Sequence, residues 1–257
     1  MEIELPKEKI KASRINPRTM VLFGKEKSGK STILSGLKDC LIIDVEKSTD
    51  FLDALKFDVI TKAEEEKTLP VIILKKLITK IKNANEKKGD YIYKYIALDT
   101  VSALEDIVLP YAKKLYQNTP QGRNYIGDDI TTLPNGSGYR WSRMALFEII
   151  NDLESICDTL IILGHVKDKM IELKGEEINE RGLDLIGKSS SILCSKVDAI
   201  GYVYRKENKT IINFRPSESL IVGGRSKHLI GKEIIVAESN ENDEIKVDWS
   251  KIFIQNN

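Results

Sequence analysis

Short, continuously apolar runs recur along the chain and are separated by longer amphipathic segments. The runs are Met20–Phe23, Leu41–Val45, Tyr91–Leu98 and Leu160–Leu163. An unbroken apolar run of this length is typical of a strand that is covered on both faces, as in a parallel sheet. We therefore expect these runs to form parallel strands.

Helical periodicity fills much of the chain between the runs, at Ser31–Lys38, Pro70–Asn83 and Trp141–Cys157. The last segment has an apolar stripe at about 3.6-residue spacing. The stripe consists of Trp141, Met144, Ala145, Ile149, Leu153, Ile156 and Cys157. Alternating strands and helices predict an α/β fold, with a mostly parallel central sheet flanked by helices.

The C-terminal part of the chain reads as additional β-structure. Val197–Tyr204 and Thr210–Phe214 predict a hairpin at the sheet edge, and the residues from Ile234 onward predict a further strand pair. We therefore divide the chain into an N-terminal arm or lead-in strand (1–19), a main domain (20–230) and a C-terminal β-hairpin extension (231–257).

Two stretches break this rhythm, Tyr116–Tyr139 and Lys167–Gly187. Both are long, polar and interrupted by glycine, proline or charged residues. Connections of this length without secondary structure usually carry function or are disordered. We therefore expect two long functional loops.

Composition narrows the class of protein. With 40 basic and 39 acidic residues among 257, the chain has a net charge of +1, so any nucleic-acid site must be local. The sequence contains neither an apolar stretch long enough to span a membrane nor a signal-peptide segment, which predicts no membrane partner and a cytoplasmic protein, in the host cytoplasm if it is viral.

A phosphate-binding loop follows the first apolar run. It comprises Gly24, Lys25, Glu26, Lys27, Ser28, Gly29, Lys30, Ser31 and Thr32. In such a loop, backbone N–H groups surround the phosphates, and glycine permits their close approach. Lys30 would bridge the β- and γ-phosphates, Ser31 would ligate Mg²⁺, and Thr32 would reach the α-phosphate. The sequence thus predicts that ATP and Mg²⁺ bind here.

An acidic residue near the magnesium ion is the second requirement. Asp99 ends the apolar run 91–98 and is the candidate metal-binding carboxylate, although an aspartate here also suits the N-cap of a following helix. Many motor ATPases carry a glutamate at the next position, where this chain has Thr100. The base that activates water must then come from elsewhere, and Glu46, just beyond the run 41–45, is the candidate. A solvated loop glutamate is the alternative.

His165 follows the apolar run 160–163. If that strand neighbours the strand before the phosphate loop, His165 would lie near the γ-phosphate and sense hydrolysis. A simple strand cap is the alternative.

Together these segments resemble the RecA-type P-loop ATPase core, and within it the Sak-type phage single-strand annealing ATPases. The resemblance spans about residues 18–230. Its carriers are residues 24–32, Ile43–Glu46, Leu98–Leu104, Leu163–Lys169 and Gly223–Lys227. It implies a RecA-like P-loop NTPase core in residues 20–230 and ATP hydrolysis that is stimulated by DNA.

The resemblance also implies roles for individual residues. Glu46 would activate water, and His165, at a position where recombinases commonly have glutamine, would couple the γ-phosphate to DNA binding. Arg225 and Lys227 would act in trans on the site of a neighbouring subunit, stabilising charge on the transferred phosphoryl group. A surface ion-pairing role is the alternative for both. The role in trans requires a homo-oligomer, either a ring or a filament.

The same resemblance implies that the two long segments line a path for single-stranded DNA, used in annealing or homologous recombination. It also implies a single-strand DNA-binding protein as a partner. Aromatic and cationic side chains suit stacking and phosphate contact. The first segment and its flank carry Tyr116, Arg123, Asn124, Tyr125, Tyr139, Arg140 and Trp141. The second carries Lys167, Lys169, Lys174, Arg181 and Lys188, together with Glu172, Glu176, Glu177, Glu180 and Asp184.

Other functions use the same phosphate loop. A GTPase would need Asp-x-x-Gly, which residues 99–102 do not match, and a small-molecule kinase would need a lid that is not recognisable. A helicase or packaging-type DNA motor shares the core and stays open as an alternative. A nucleotide-binding module with little hydrolysis also stays open.

Overall fold

The computed structural model describes residue 5 and residues 7–173, 175–242 and 244–255. The strands are β1 (Thr19–Gly24), β2 (Cys40–Asp44), β3 (Lys56–Asp58), β4 (Tyr95–Asp99), β5 (Thr159–Leu173), β6 (Glu176–Leu183), β7 (Ala199–Lys206), β8 (Lys209–Asn213), β9 (Gly223–Gly224), β10 (Glu233–Ser239) and β11 (Ile245–Val247). The helices are α1 (Lys30–Ser35), α2 (Val59–Glu65), α3 (Pro70–Lys88), α4 (Val101–Ile107), α5 (Leu109–Gln117), α6 (Ser137–Ser155) and α7 (Ser189–Lys196), with short 3-10 helices at Ile130–Thr132 and Pro134–Gly136.

The strands follow the order β11-β10-β8-β7-β1-β5-β4-β2-β3, with β6 beside β5 and β9 beside β7. From β3 to β7, neighbours along this order are parallel. From β7 to β11 they are antiparallel. The predicted α/β fold with a mostly parallel sheet flanked by helices is confirmed. The predicted C-terminal strand pair is present as β10 and β11.

Side chains of the parallel strands alternate between two apolar layers, one on each face of the sheet. On one face, Val21 of β1 packs with residues of α2 to α7. On the other, Met20 packs with α1 and with the C-terminal segment around Trp249. The Trp249 indole donates a hydrogen bond of 2.8 Å to the Ile33 carbonyl, which ties this segment to α1. Continuous apolar runs fit these strands because both faces are covered.

The hairpin of β7 and β8 exists, but its predicted position at the sheet edge is wrong. Ala199 of β7 pairs with Met20 of β1, while Ile212 of β8 pairs with Ile234 of β10. The C-terminal strands thus continue the sheet beyond β8. As a consequence, the hairpin lies between the phosphate-loop strand and the C-terminal strands.

The prediction of a long loop at 167–187 is also wrong. β5 continues to Leu173 and pairs antiparallel with β6, from Val166 opposite Leu183 to Leu173 opposite Glu176. Opposite charges face each other across this ribbon: Arg181 Nε lies 2.8 Å from Asp168 Oδ1. Such cross-strand pairs stabilise a ribbon that lacks an apolar face, so its polar sequence resembles a loop. Lys174, counted in this segment, lies outside the described residues.

The first long segment is mostly irregular between the end of α5 and the start of α6. α6 begins at Ser137, before the predicted start at Trp141, and it ends at Ser155. Its buried side includes Ala145, Ile149 and Leu153. Met144 is 44% exposed, so its assignment to the apolar stripe is wrong.

Residues 7–18 of the N-terminal arm contain no strand, and residues 1–4 and 6 lie outside the described part of the chain. Several polar contacts attach the arm to the rest of the chain, among them those of Arg14, Asn16 and Arg18. Arg14 Nη2 lies 3.0 Å from Asp158 Oδ1, and Asn16 Nδ2 donates to the Ile254 carbonyl over 2.8 Å. The division into arm, main domain and C-terminal extension stays a prediction. No helix in the described residues is long and apolar enough to cross a membrane.

Candidate nucleotide site

The phosphate loop joins the end of β1 to the start of α1, the context that the motif requires. Two glycines are needed by the geometry. A Cβ on Gly24 would lie 2.3 Å from the Val203 carbonyl oxygen of β7, and Gly29 has a φ of +91°. Glycine permits the close approach at position 24 because it has no Cβ, and it adopts the left-handed backbone at position 29 without strain. The loop therefore closes tightly against β7.

Lys30 is buried inside this loop, with 6% of its surface exposed. Its Nζ donates hydrogen bonds of 2.9 Å to the Gly24 carbonyl and 2.8 Å to the Lys25 carbonyl. Burial lowers its pKa, while the nearby Asp99 and Glu46 carboxylates oppose that shift. The Ser28 hydroxyl is buried without a hydrogen-bond partner in the described residues. A charged donor and a free hydroxyl in one closed loop fit a polyphosphate.

Asp99 lies beside this loop at the end of β4 and is 1% exposed. Its Oδ2 accepts hydrogen bonds from Ser31 Oγ at 2.6 Å and from Ser48 Oγ at 3.2 Å. Burial raises the pKa of the Asp99 carboxyl, and Asp44 and Glu46 add to this effect. Hard oxygen donors and a need for positive charge fit Mg²⁺. Thr100, not Asp99, caps α4, because its hydroxyl accepts from the Ala103 amide.

Glu46 stands in a turn that Asp44 organises. Asp44 Oδ1 accepts from the Glu46 amide at 2.8 Å, and Oδ2 accepts from the Ser48 and Thr49 amides at 2.8 and 2.9 Å. Because Asp44 is directly opposite Asp99 in the parallel pair β2–β4, the turn lies next to the candidate metal site. The sequence predicts a role for Glu46 but none for Asp44, the residue that positions it.

The Glu46 carboxylate is held by two side chains from neighbouring strands, one directly after β4 and one within β5. Its Oε1 accepts a hydrogen bond from the Thr100 hydroxyl and lies 3.0 Å from Nε2 of His165. His165 is opposite Gly24 in the parallel pair β1–β5, so its strand does neighbour the phosphate-loop strand. Thr100 occupies the position of the glutamate in many motor ATPases, and here it binds Glu46 instead.

Arg205 is a cation near the loop that sequence reasoning missed. A Cβ on Gly29 would lie 3.3 Å from Nε and Nη2 of Arg205, and equally close to the Thr210 hydroxyl. Arg205 and Thr210 face each other across the β7–β8 hairpin. No local motif marks an arginine in a hairpin, so only the tertiary structure reveals this contact.

Arg225 and Lys227 lie away from the loop of their own chain. The Arg225 amide donates to the Asp198 carbonyl at 2.7 Å, and its guanidinium Nη1 lies 3.1 Å from Asp198 Oδ1. Asp198 also accepts from the Arg18 amide before β1, so this cluster sits at the amino edge of the parallel sheet. The phosphate loop lies at the carboxyl edge. Lys227 is exposed.

The two candidate DNA-binding segments differ in what they expose. In the first, Tyr116 packs against Tyr125 and Trp141, with ring centroids 5.4 and 5.6 Å apart. In the first segment, the rings of Tyr116, Tyr125 and Trp141 thus already pack against one another. Arg123 and Arg140 are exposed.

The second segment, the β5–β6 ribbon, has Arg181 paired with Asp168. At the end next to its turn, the described residues of the ribbon are acidic, with Glu172 opposite Glu177. This charge disfavours contact with phosphates there.

The chain is similar to solved structures and to one protein family. No curated protein matches the chain. Matching solved structures include a KaiC-like protein, PH0186, from the hyperthermophilic archaeon Pyrococcus horikoshii OT3, with 14% identity, a TM-score of 0.42 and coverage of 90% of this chain and 89% of that chain. They also include the RadB recombinase, with 13% identity, a TM-score of 0.41 and coverage of 90% and 91%. The AAA domain family (AAA_24) matches residues 16–226. The chain therefore belongs to the AAA domain family and carries a P-loop ATPase core.

Proposed function

We propose that this chain is a RecA-like ATPase that hydrolyses ATP, binds single-stranded DNA and promotes annealing or homologous recombination. The observation that carries the hydrolytic part is the position of Glu46. Its carboxylate is bonded by Thr100 and lies 3.0 Å from His165, beside the strand end that holds Asp99. A base held this close to the phosphate loop favours turnover over mere binding.

Each residue has a defined task in this proposal. Lys30 and the loop amides bind the phosphates, and the Ser31 and Asp99 oxygens would hold Mg²⁺. When bound, Mg²⁺ neutralises charge that develops on the phosphate oxygens. Glu46 orients the attacking water and takes its proton, while Thr100 and His165 keep the carboxylate in place. A carboxylate has acceptor sites left for water after two such contacts.

His165 also offers a route from the nucleotide to the rest of the molecule. It lies in β5, the strand that continues without interruption into the β5–β6 ribbon. A change in the contact between His165 and Glu46 on hydrolysis would thus act directly on this ribbon.

We assign DNA contact mainly to the first long segment. Arg123 and Arg140 are exposed there, and Tyr139 has 46% of its surface exposed. Cationic groups and an accessible ring support backbone contact and base stacking. The acidic end of the β5–β6 ribbon, next to its turn, makes the ribbon a weaker candidate for phosphate contact.

The working unit in this proposal is a homo-oligomer, a ring or a filament. Arg225 and Lys227 lie at the sheet edge opposite to their own phosphate loop, so they can serve as catalytic cations only for another copy. The resemblance to Sak-type annealing ATPases supports a phage origin, action in the host cytoplasm and cooperation with a single-strand DNA-binding protein.

The test is ATP turnover by the purified chain with and without a poly(dT) oligonucleotide, together with annealing of complementary strands. We expect ATP hydrolysis that DNA stimulates and annealing that requires ATP. Replacing Arg123 and Arg140 with glutamine should remove DNA stimulation, whereas Arg215→Gln, an exposed arginine after β8, should not.

Turnover without DNA stimulation or annealing would contradict the DNA-related part. ATP-driven strand separation would favour the helicase or packaging-type motor instead. Binding without turnover would favour the nucleotide-binding module.

A further inference from the structure

Arg205 lies beside the phosphate loop because β7 extends further than β1. The last residue of β1 that pairs with β7 is Phe23, opposite Tyr202. β7 then continues to Lys206, past the point where the chain of β1 turns into the loop. The end of the hairpin therefore flanks the loop on the side opposite to β5 and His165.

The guanidinium group itself packs on the loop. Its Nε and Nη2 lie 3.3 Å from the place where a Cβ of Gly29 would be. The hydroxyl of the buried Thr210 lies at the same distance from that position. Gly29 directly precedes Lys30, so two cationic side chains border the same short stretch of backbone.

Arg205 is also electrically uncompensated. The guanidinium groups of Arg181 and Arg225 form ion pairs with Asp168 and Asp198. Arg205, by contrast, is exposed, and its guanidinium makes no hydrogen bond or ion pair with the described part of the chain. A guanidinium without a partner that lies against a phosphate-binding loop is available to bind an anion held by that loop.

We propose that Arg205 is a second cationic contact to the polyphosphate of the nucleotide bound by its own subunit. The inference rests on the proposed nucleotide binding and adds a residue to it. A guanidinium presents planar, paired N–H donors that match phosphate oxygens, whereas Lys30 acts as a point charge. Arg205 is distinct from Arg225, since it reaches the loop of the same chain.

The experiment measures binding of ATP and of inorganic tripolyphosphate by calorimetry to the wild type, to Lys30→Ala and to three further variants. Arg205→Gln keeps a polar side chain but removes the guanidinium and its charge, and we expect it to weaken the binding of both ligands about 10-fold to 100-fold. Arg205→Lys should weaken both less. Lys206→Gln, an exposed neighbour on the same strand, should change neither. Unfolding temperatures without ligand should match, since Arg205 is exposed.

Distinct results would overturn the inference. Unchanged affinity of Arg205→Gln for both ligands would remove Arg205 from the site. Weaker ATP binding with unchanged tripolyphosphate binding would show that the guanidinium acts on the nucleoside. If the wild type binds neither ligand, the proposed function itself fails. If Lys30→Ala loses both ligands while Arg205→Gln keeps them, only this inference fails.

Discussion

The charged side chains at the two edges of the parallel sheet differ in burial and in hydrogen bonding. At the carboxyl edge, Lys30, Asp44 and Asp99 are buried and interlocked by hydrogen bonds. At the amino edge, the Arg225 side chain is 63% exposed and forms a surface ion pair. Buried charges need precise partners, whereas exposed ones need little. One chain thus contains the phosphate-binding half of a site and carries its candidate trans cations on the opposite edge.

The largest effect is expected from Lys30→Ala at the carboxyl edge. Loss of the buried ammonium removes the charge-assisted donor of the loop, so ATP affinity should fall about 100-fold and turnover should vanish. Calorimetry and a phosphate-release assay measure both. Lys80→Ala, an exposed lysine on α3, is the matched control. Wild-type affinity in Lys30→Ala would place the nucleotide elsewhere.

Glu46→Gln should separate binding from chemistry. Glutamine cannot take the proton of the attacking water, so turnover should fall about 10²-fold to 10⁴-fold while ATP affinity is kept. Single-turnover hydrolysis checks the first point and calorimetry the second. Glu86→Gln on α3 should behave as the wild type, because Glu86 is exposed and distant from the loop in the fold. Unchanged turnover in Glu46→Gln would refute its role.

Two glycines, Gly24 at the carboxyl edge and Gly224 at the amino edge, allow the packing at the two edges to be compared. A Cβ on Gly24 would lie 2.3 Å from a backbone carbonyl, whereas the nearest atom to a Cβ on Gly224 is 3.6 Å away. Gly24→Ala should lower the free energy of unfolding by about 1–3 kcal/mol, since backbone must shift. Gly224→Ala should change it far less. Urea unfolding without nucleotide measures both, and equal effects would show that β7 does not press on the loop.

Arg225→Ala should have the smallest effect on the isolated chain. An exposed ion pair contributes about 0.2–1 kcal/mol, and Arg225 does not reach its own loop, so stability and ATP affinity should change little. Its role in trans is tested by mixing. Lys30→Ala subunits keep Arg225, and Arg225→Ala subunits keep the loop, so mixed oligomers should regain turnover that neither variant shows. Failure to regain turnover would count against the trans role.

Much of the site could be predicted because its signals are local. The loop 24–32, the apolar runs of β1, β2, β4 and β5, and the polar residues that follow those runs are readable without tertiary contacts. Parallel strands bring such residues to one edge of a sheet. That is why Lys30, Asp99, Glu46 and His165 meet where the sequence places them.

The errors concern pairing between distant segments. The β5–β6 ribbon has no apolar face, so its strand pairing leaves no periodic signal. The edge position of the β7–β8 hairpin depended on whether the C-terminal residues add strands outside it. Ser48 and Arg205 belong to no motif, and the contact of Thr100 with Glu46 was not predicted. All three residues take their places only through neighbouring strands.

The sequence by itself determined that the chain has a phosphate loop, a candidate metal-binding aspartate and a mostly parallel sheet, because these depend on residue type, spacing and local periodicity. Only the tertiary structure decided that β5 lies between β1 and β4, that Thr100 and His165 hold Glu46, and that Arg205 borders the loop while Arg225 does not. Those facts depend on strand order and on how far each strand extends, which long-range packing sets.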